Sequence, residues 1–368
     1  MTRAWLRLPV LILCFGLGML AVSLPRTGHT EPYLAVQQGY KCGACHVNAT
    51  GGGLRNDFGI VFAENAMPAS PLPDGTPTWT GRVGDFVRLG GDVRGTWTRT
   101  EVPHQDSQQG WDLAQARIYG AVEVIPQRLT ILVDEQLAPG NAQTREAWIR
   151  YADPDHGWYA KGGRFYLPFG WRLQDQSAFV RQVSGINMET PDEGLEVGLE
   201  TASWSVQFDL TNGAANAGTG SSHQLTGQAA WIRPRGRLGI AFSQTKSDAG
   251  DRTMAGLFGG LRTGPVAWLA EADWIRDEGF PQGTRTLLAG LAEADWAIRR
   301  GHNLKLTAEY FDPDDDVNED EKTRWSVSYE YTPLPFLQLR AGWRQYDGIP
   351  QNDLENRRFL FAELHGFF

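Results

Sequence analysis

Cys42-Gly43-Ala44-Cys45-His46 concentrates more chemistry than any other stretch of this 368-residue chain. Two thiols three positions apart can add to the two vinyl groups of one porphyrin, and the adjacent imidazole then lies under the iron. That is the spacing of covalent c-type haem attachment. Other uses of the pair are poorly served. A structural zinc would need further ligands at paired spacing, and a redox dithiol would want a thioredoxin-like strand–helix–strand setting. The third cysteine, Cys14, sits in an N-terminal apolar run that reads as part of a secretory signal. One covalent haem c is therefore expected on Cys42 and Cys45, with His46 as the proximal iron ligand.

The sixth iron position is open on sequence alone. Met67 either supplies a thioether, which would raise the reduction potential, or packs at the end of a short helix. His104 falls in a loop expected to face solvent, and His29 in the segment expected to leave with the signal. His365 alternates onto the inner face of the last strand, from which it could also approach a haem. A site with an unassigned or absent sixth ligand is the remaining reading. Gly51-Gly52-Gly53 follows the motif, either to let the backbone approach a planar cofactor closely or as a turn. Phe58, Ile60, Val61 and Phe62 would supply apolar wall to the haem.

The elements that must position these residues fall into regions of different texture. Arg3 and Arg7 precede an apolar run from Leu8 to Val22 that is broken by Gly16 and Gly18. It is too short and interrupted to span a membrane comfortably, so residues 1–30 read as a signal peptide. Residues 31–70 form the haem segment, with a short helix expected over Leu54 to Ala66. A proline-rich linker occupies 71–83. From residue 84 to Phe368 the chain alternates strand and turn. The net charge of -9 argues against nucleic acid as a partner. Low hydropathy does not argue against a membrane, because a transmembrane barrel carries its apolar residues on alternate positions.

That alternation can be followed residue by residue. Trp204, Val206, Phe208 and Leu210 interleave with Ser205, Gln207, Asp209 and Thr211. Trp325, Val327, Tyr329 and Tyr331 interleave with Arg324, Ser326, Ser328 and Glu330. A soluble sandwich shares this local pattern, but the connections distinguish the two. Short turns (124–128, 153–157, 233–236, 263–264, 299–301, 332–335) alternate with long polar linkers (100–111, 167–193, 212–224, 277–283, 311–322, 346–356). Short periplasmic turns and long external loops belong to outer-membrane barrels. The expected fold is therefore all-β: a transmembrane antiparallel barrel of about sixteen strands over 84–368, with both termini periplasmic. Tryptophans near strand ends suit interfacial girdles. The last strand stops on Phe368, as the final strands of outer-membrane proteins do.

Two loops stand out. The linker from Leu167 to Glu193 is long enough to fold into the pore, where Arg172, Arg181 and Asp175 could form a constriction; otherwise it is a surface loop. The acidic run Asp312, Asp314, Asp315, Asp316, Glu319, Asp320 and Glu321 is either a solvated face or a local concentrator of cations. About forty residues is little for a freestanding haem domain. The segment is therefore expected to plug the barrel from the periplasmic side or to dock at its mouth.

Leu34-Ala35, Gly39 and Cys42 to His46, followed by a sixteen-strand porin, resemble the outer-membrane monohaem cytochrome–porin fusions of iron-oxidising bacteria. Gly163-Arg164-Phe165-Tyr166-Leu167-Pro168-Phe169-Gly170 is similar to a segment of the phosphate-selective porins. The first resemblance covers nearly the whole chain after the signal; the second concerns the ancestry of the barrel. The cytochrome–porin family implies an electron-transfer protein in the outer membrane lipid. It takes electrons from an extracellular donor, ferrous iron among the possibilities, and passes them to a periplasmic cytochrome or other carrier. The Gly51 to Gly53 run and a compact barrel depart from that pattern and leave donor and direction open. The alternative is a solute or anion porin whose haem is structural or sensory. A single haem does not bridge a hydrocarbon core of roughly 25–30 Å, so a conduit needs the haem inside the pore.

Overall fold

The computed structural model describes residues 31–213, 222–281 and 283–368. The expected signal, with Cys14 and His29, lies outside them, as does part of the 212–224 linker. Sixteen antiparallel strands follow one another in the chain. They are β1 (Val87–Glu101), β2 (Gln108–Ile125), β3 (Leu129–Ala138), β4 (Gln143–Asp153), β5 (Trp158–Phe165), β6 (Asp192–Glu200), β7 (Trp204–Thr211) and β8 (His223–Arg233). The second half comprises β9 (Gly236–Lys246), β10 (Arg252–Thr263), β11 (Val266–Asp277), β12 (Arg285–Arg299), β13 (His302–Asp312), β14 (Lys322–Leu334), β15 (Leu337–Asp347) and β16 (Arg358–Phe367). Each pairs with its sequence neighbours, and β16 pairs back onto β1 (Ala362 opposite Trp97), so the sheet closes into a barrel without an edge. A two-residue piece, Arg82–Val83, folds back on the start of β1. Short and long connections alternate around the ring, except that the β3–β4 connection, 139–142, is as short as the β4–β5 turn, 154–157. Residues 201–203 make a further short turn, and 139–142 and 247–251 are further loops.

Burial is inverted relative to a soluble protein. Trp325 is 54% exposed on the outer face, whereas its neighbour Arg324 is 1% exposed on the inner face. Phe208 and Leu210 point out and Gln207 and Asp209 point in; Leu339 points out and Arg340 in. An apolar exterior over a polar interior is what a bilayer requires of a barrel. Tryptophans gather at both rims. Trp158, Trp204, Trp231 and Trp296 lie toward the short-turn ends of their strands, and Trp111, Trp274 and Trp325 toward the long-loop ends, all exposed. Among the described residues no helix is long and apolar enough to cross a membrane.

The lumen is filled from both ends. From the short-turn end comes the N-terminal plug. Its first helix, α1 (Pro32–Gln38), starts with Pro at its first position and ends on Gly39 in the left-handed conformation, φ 72°. Tyr33, Leu34 and Val36 of α1 pack in one apolar cluster with Ile232, Phe258 and Leu269 of the wall. Gly260 permits this contact, since a Cβ there would lie 2.6 Å from Val36 Cγ2. The second helix, α2 (Asp57–Asn65), is shorter than the expected span from Leu54 to Ala66. Asn56 caps it by accepting from the Gly59 N–H at 2.9 Å, and this fixes the start. From the long-loop side the 166–191 connection folds inward and carries α3 (Phe179–Ser184), which packs against β11, β12 and β13. The pore-folding reading of this loop is the one observed.

Ile240 lies midway along β9 and is 61% exposed. Ile240→Arg should therefore destabilise the folded barrel by about 2–4 kcal/mol, the cost of a charge at the lipid midplane. Urea unfolding from lipid vesicles measures this. Gly260→Ile should instead displace α1 and expose residues 31–41 to protease while the barrel itself remains folded.

Candidate functional site in the barrel lumen

The plug touches wall around nearly the whole ring. Glu31 pairs with Lys305 of β13, and the Tyr33 hydroxyl donates to Glu330 Oε2 of β14 at 2.8 Å. Lys41 Nζ donates to Glu200 Oε2 of β6 at 2.9 Å. Asn48 Nδ2 donates to Glu146 Oε1 at 2.9 Å, and Arg150 Nη1 to the Val47 carbonyl at 2.6 Å, both partners being on β4. Arg55 stacks 4.5 Å over the Phe367 ring of β16. At the exit Arg88 Nη2 and Arg82 Nη2 donate to Asp57 Oδ2 at 2.9 and 2.8 Å.

Within this plug the chemical motif is held by its own backbone. Cys42–Ala44 is a single turn of 3-10 helix, and the His46 and Cys45 N–H groups both donate to the Cys42 carbonyl. Asn56 Nδ2 gathers the Gly43 and Ala44 carbonyls at 3.1 Å each, which fastens the motif to the start of α2. His46 pairs with Arg55 in an isolated antiparallel bridge. Gly51, Gly52 and Gly53 all have positive φ (90°, 79° and 61°), where other residues are strained. A Cβ on Gly51 would lie 3.0 Å from Cys42 Cβ.

Cys42, Cys45 and His46 share one cavity of about 620 Å³, whose walls also include Gly52, Arg172 and Met188. Both cysteines are free thiols. Burial pushes the Cys45 thiol up to about 11, with Cys42 adding to the shift and Arg55 opposing it. Burial, and then the Arg55 guanidinium, hold the His46 imidazole down at about 3, against the opposing Gly53 and Gly52 carbonyls. His46 is thus neutral at ordinary pH, as a metal-binding imidazole must be. Its Nδ1 is buried without a hydrogen-bond partner among the described residues.

The inner loop meets the plug here. Arg172 Nη1 donates to the Gly51 carbonyl at 2.6 Å and Nη2 to the Tyr166 carbonyl at 3.1 Å. Arg181 pairs with Glu271 of β11 and donates to the Phe169 carbonyl at 2.7 Å. Asp175 accepts from Arg324 and Arg344 at 2.9 and 3.0 Å. Burial would raise the Asp175 pKa, yet these two guanidinium groups hold it well below the usual carboxylate range.

The remaining candidates from the sequence are dispersed. Met67 is buried with Ala63 and Phe367 and does not line the cavity. His365 does line it, from β16. His104 is exposed on the long-loop rim, 3.4 Å from Asp353. Asp314, Asp315 and Asp316 cluster on another long loop and take no part in the cavity wall. Of the apolar residues expected to wall the site, Phe62 lines the cavity, whereas Phe58 and Val61 are exposed. Met188 went unnoticed in the sequence. Its only signal was a position inside the one connection long enough to enter the pore.

No family model matches the chain, and no curated protein matches it. Solved structures match by fold: the barrel has the fold of outer-membrane porins. An anion-selective porin from Comamonas acidovorans aligns at 12% identity with a TM-score of 0.61, covering 77% of this chain and 99% of that one. OmpT of Vibrio cholerae, as a loop-deletion mutant, gives 12% and 0.60 over 77% and 99%. The outer membrane channel DcaP of Acinetobacter baumannii gives 13% and 0.57 over 77% and 97%.

Asp57 supplies a pH test of the plug. Hydrogen bonds from Arg88 and then Arg82 hold its carboxyl well below the ordinary value. A depressed folded-state pKa means that the contribution is fully present above about pH 4, the ordinary carboxylate range. It is lost as pH falls from there through the lowered value. Pepsin cleavage within 57–65 should therefore stay slow down to about pH 4 and accelerate below it. In Asp57→Asn cleavage should be faster throughout, and the acid dependence should be reduced.

Proposed function

We propose that the chain is an outer-membrane electron-transfer barrel carrying one covalent haem c. Its short-turn end and both chain ends face the periplasm. The observation that carries this reading is a Cys-x-x-Cys-His motif held inside the lumen, where plug and inner loop meet at one cavity. The residues fit the group. Two free thiols and a neutral, half-buried imidazole face the same space, and His46 Nδ1 has no partner among the described residues. Glycine backbone with positive φ lines the approach, where side chains would obstruct it. Cys42 and Cys45 would hold the haem and His46 would ligate its iron. Bound haem supplies reversible one-electron chemistry.

The protein's own residues do the rest. The plug, pinned by Glu31, Tyr33, Lys41 and Asp57, sets the depth of the motif. The inner loop covers the cavity from the other direction through Arg172. A cofactor in this position would be reached by a donor through the long-loop mouth and by an acceptor at the short-turn mouth. Neither partner would need to cross the roughly 25–30 Å core alone. The resemblance in the motif region points to ferrous iron as donor and a periplasmic cytochrome or other soluble carrier as acceptor.

A solute channel whose haem is structural or sensory is the second reading. The porin fold favours it, and so does a cavity lined by several arginines, among them Arg94, Arg117, Arg172 and Arg344. The two readings part in one preparation. Purified protein in sealed vesicles, mixed rapidly with external ferrous iron, should show reduction of the haem bands and little conductance to small anions. Haem that stays oxidised, together with ready passage of anions, would reverse the assignment. Cys42→Ser/Cys45→Ser should lose covalent haem altogether while keeping a folded barrel.

A further inference from the structure

The inner loop brings one thioether to the cavity. Of the five methionines in the sequence, Met1 and Met19 lie outside the described residues. Met67 is packed with Ala63 and Phe367, and Met254 is buried in the wall within the apolar cluster of Val47, Leu54 and Trp148. Met188 alone of the remaining three lines the same space as Cys42, Cys45 and His46. Its side chain lies on the backbone of the glycine run. A Cβ on Gly52 would be 2.9 Å from Met188 Cε and 4.0 Å from its Sδ, so any residue but glycine would push the thioether away.

The position of Met188 is set by two independent ties. Its N–H donates to Gln176 Oε1 at 2.8 Å, and Gln176 in turn donates to the Leu173 carbonyl at 2.8 Å, which closes the loop on itself. Arg172 then fastens this closed loop to the plug at the Gly51 carbonyl, one residue from the glycine that Met188 touches. His365, on β16, lines the cavity too, and its Nε2 has no hydrogen-bond partner among the described residues. Its ring lies 4.9 Å from that of Phe367, its Nδ1 faces Gln338 Oε1 at 3.4 Å, and its Nε2 faces Asp92 Oδ1 at 4.0 Å.

We propose that Met188 of the inner loop, and not Met67, is the sixth iron ligand of the haem carried by Cys42 and Cys45. The inference rests on the haem reading given above. A thioether opposite a histidine raises the reduction potential and leaves no open iron position. The site would then exchange electrons rather than bind small ligands. The loop that narrows the pore would be the element that sets the potential.

The test uses the purified full-length protein in detergent. Covalent haem is first quantified by alkaline pyridine difference spectroscopy, which is indifferent to the sixth ligand. The ferric protein should show the near-infrared thioether-to-iron charge-transfer band. Met188→Leu, close in volume, should lose the band, shift toward the high-spin spectrum and lower the potential. Met67→Leu and His365→Asn should keep it. Met188→His should restore a low-spin spectrum without the band. Iron-edge X-ray absorption of the wild type reads a sulphur neighbour directly and needs no variant to fold. A band that survives in Met188→Leu, or an iron without a sulphur neighbour, overturns the assignment while leaving the haem in place. Absence of covalent haem from the wild type would instead overturn the parent reading.

Discussion

The interior of this barrel is charged, and the rest of the structure follows from having to pair those charges. Arg324, Glu330, Arg340, Lys305 and Glu196 all point inward from strands whose other face is apolar. A wide lumen would leave them to water. Here the lumen is occupied, so desolvated groups need partners within the protein. The plug and the inner loop supply many of them. Glu31 answers Lys305 and Arg340, Tyr33 answers Glu330, and Asp175 answers Arg324 and Arg344. Polar matching of this kind gives a small segment a defined depth and rotation inside a large barrel. Apolar contacts alone, which are non-directional, would fix them less well.

The same matching explains how so short a segment can be ordered. The plug has two helices of two turns or so, below the length at which helices persist alone. Its apolar residues do not form a core of their own. Tyr33, Leu34 and Val36 share one cluster with the wall and the inner loop, Val47 and Leu54 a second, and Ala63 and Met67 a third with Phe367. The fold of the plug is therefore a property of the barrel that surrounds it. The chemistry-bearing motif inherits its placement from that arrangement. Cys42 and Cys45 sit on a turn that Asn56 ties to α2, and α2 is in turn held at the barrel exit by Arg82 and Arg88.

Function within this architecture turns on whether the lumen serves solutes or electrons. The likeness to porins is one of fold, at identities of 9–13%, and extends over the barrel's share of the chain. This barrel encloses a motif-bearing segment inserted from one end and a loop from the other, joined by Arg172 at Gly51.

Period-two alternation and the rhythm of short and long connections were enough to read a sixteen-strand barrel. They follow from local backbone geometry and from a membrane's demand for an apolar outer face. Cys42, Cys45 and His46 were legible for a similar reason, since their relation is set by spacing along a few residues. Pairings between distant segments had no such signature. Nothing in the sequence tied Glu31 to Lys305, Asn48 to Glu146 or Arg172 to Gly51, because those contacts exist only once the ring has closed. Met67 stood out by nearness in sequence, whereas closure carried it into a cluster with Phe367 and brought Met188 to the cavity instead. The sequence by itself determined the barrel and the spacing of Cys42, Cys45 and His46. Tertiary structure decided what shares a cavity with them, because a residue in a long loop reaches its neighbours through the folded ring and not along the chain.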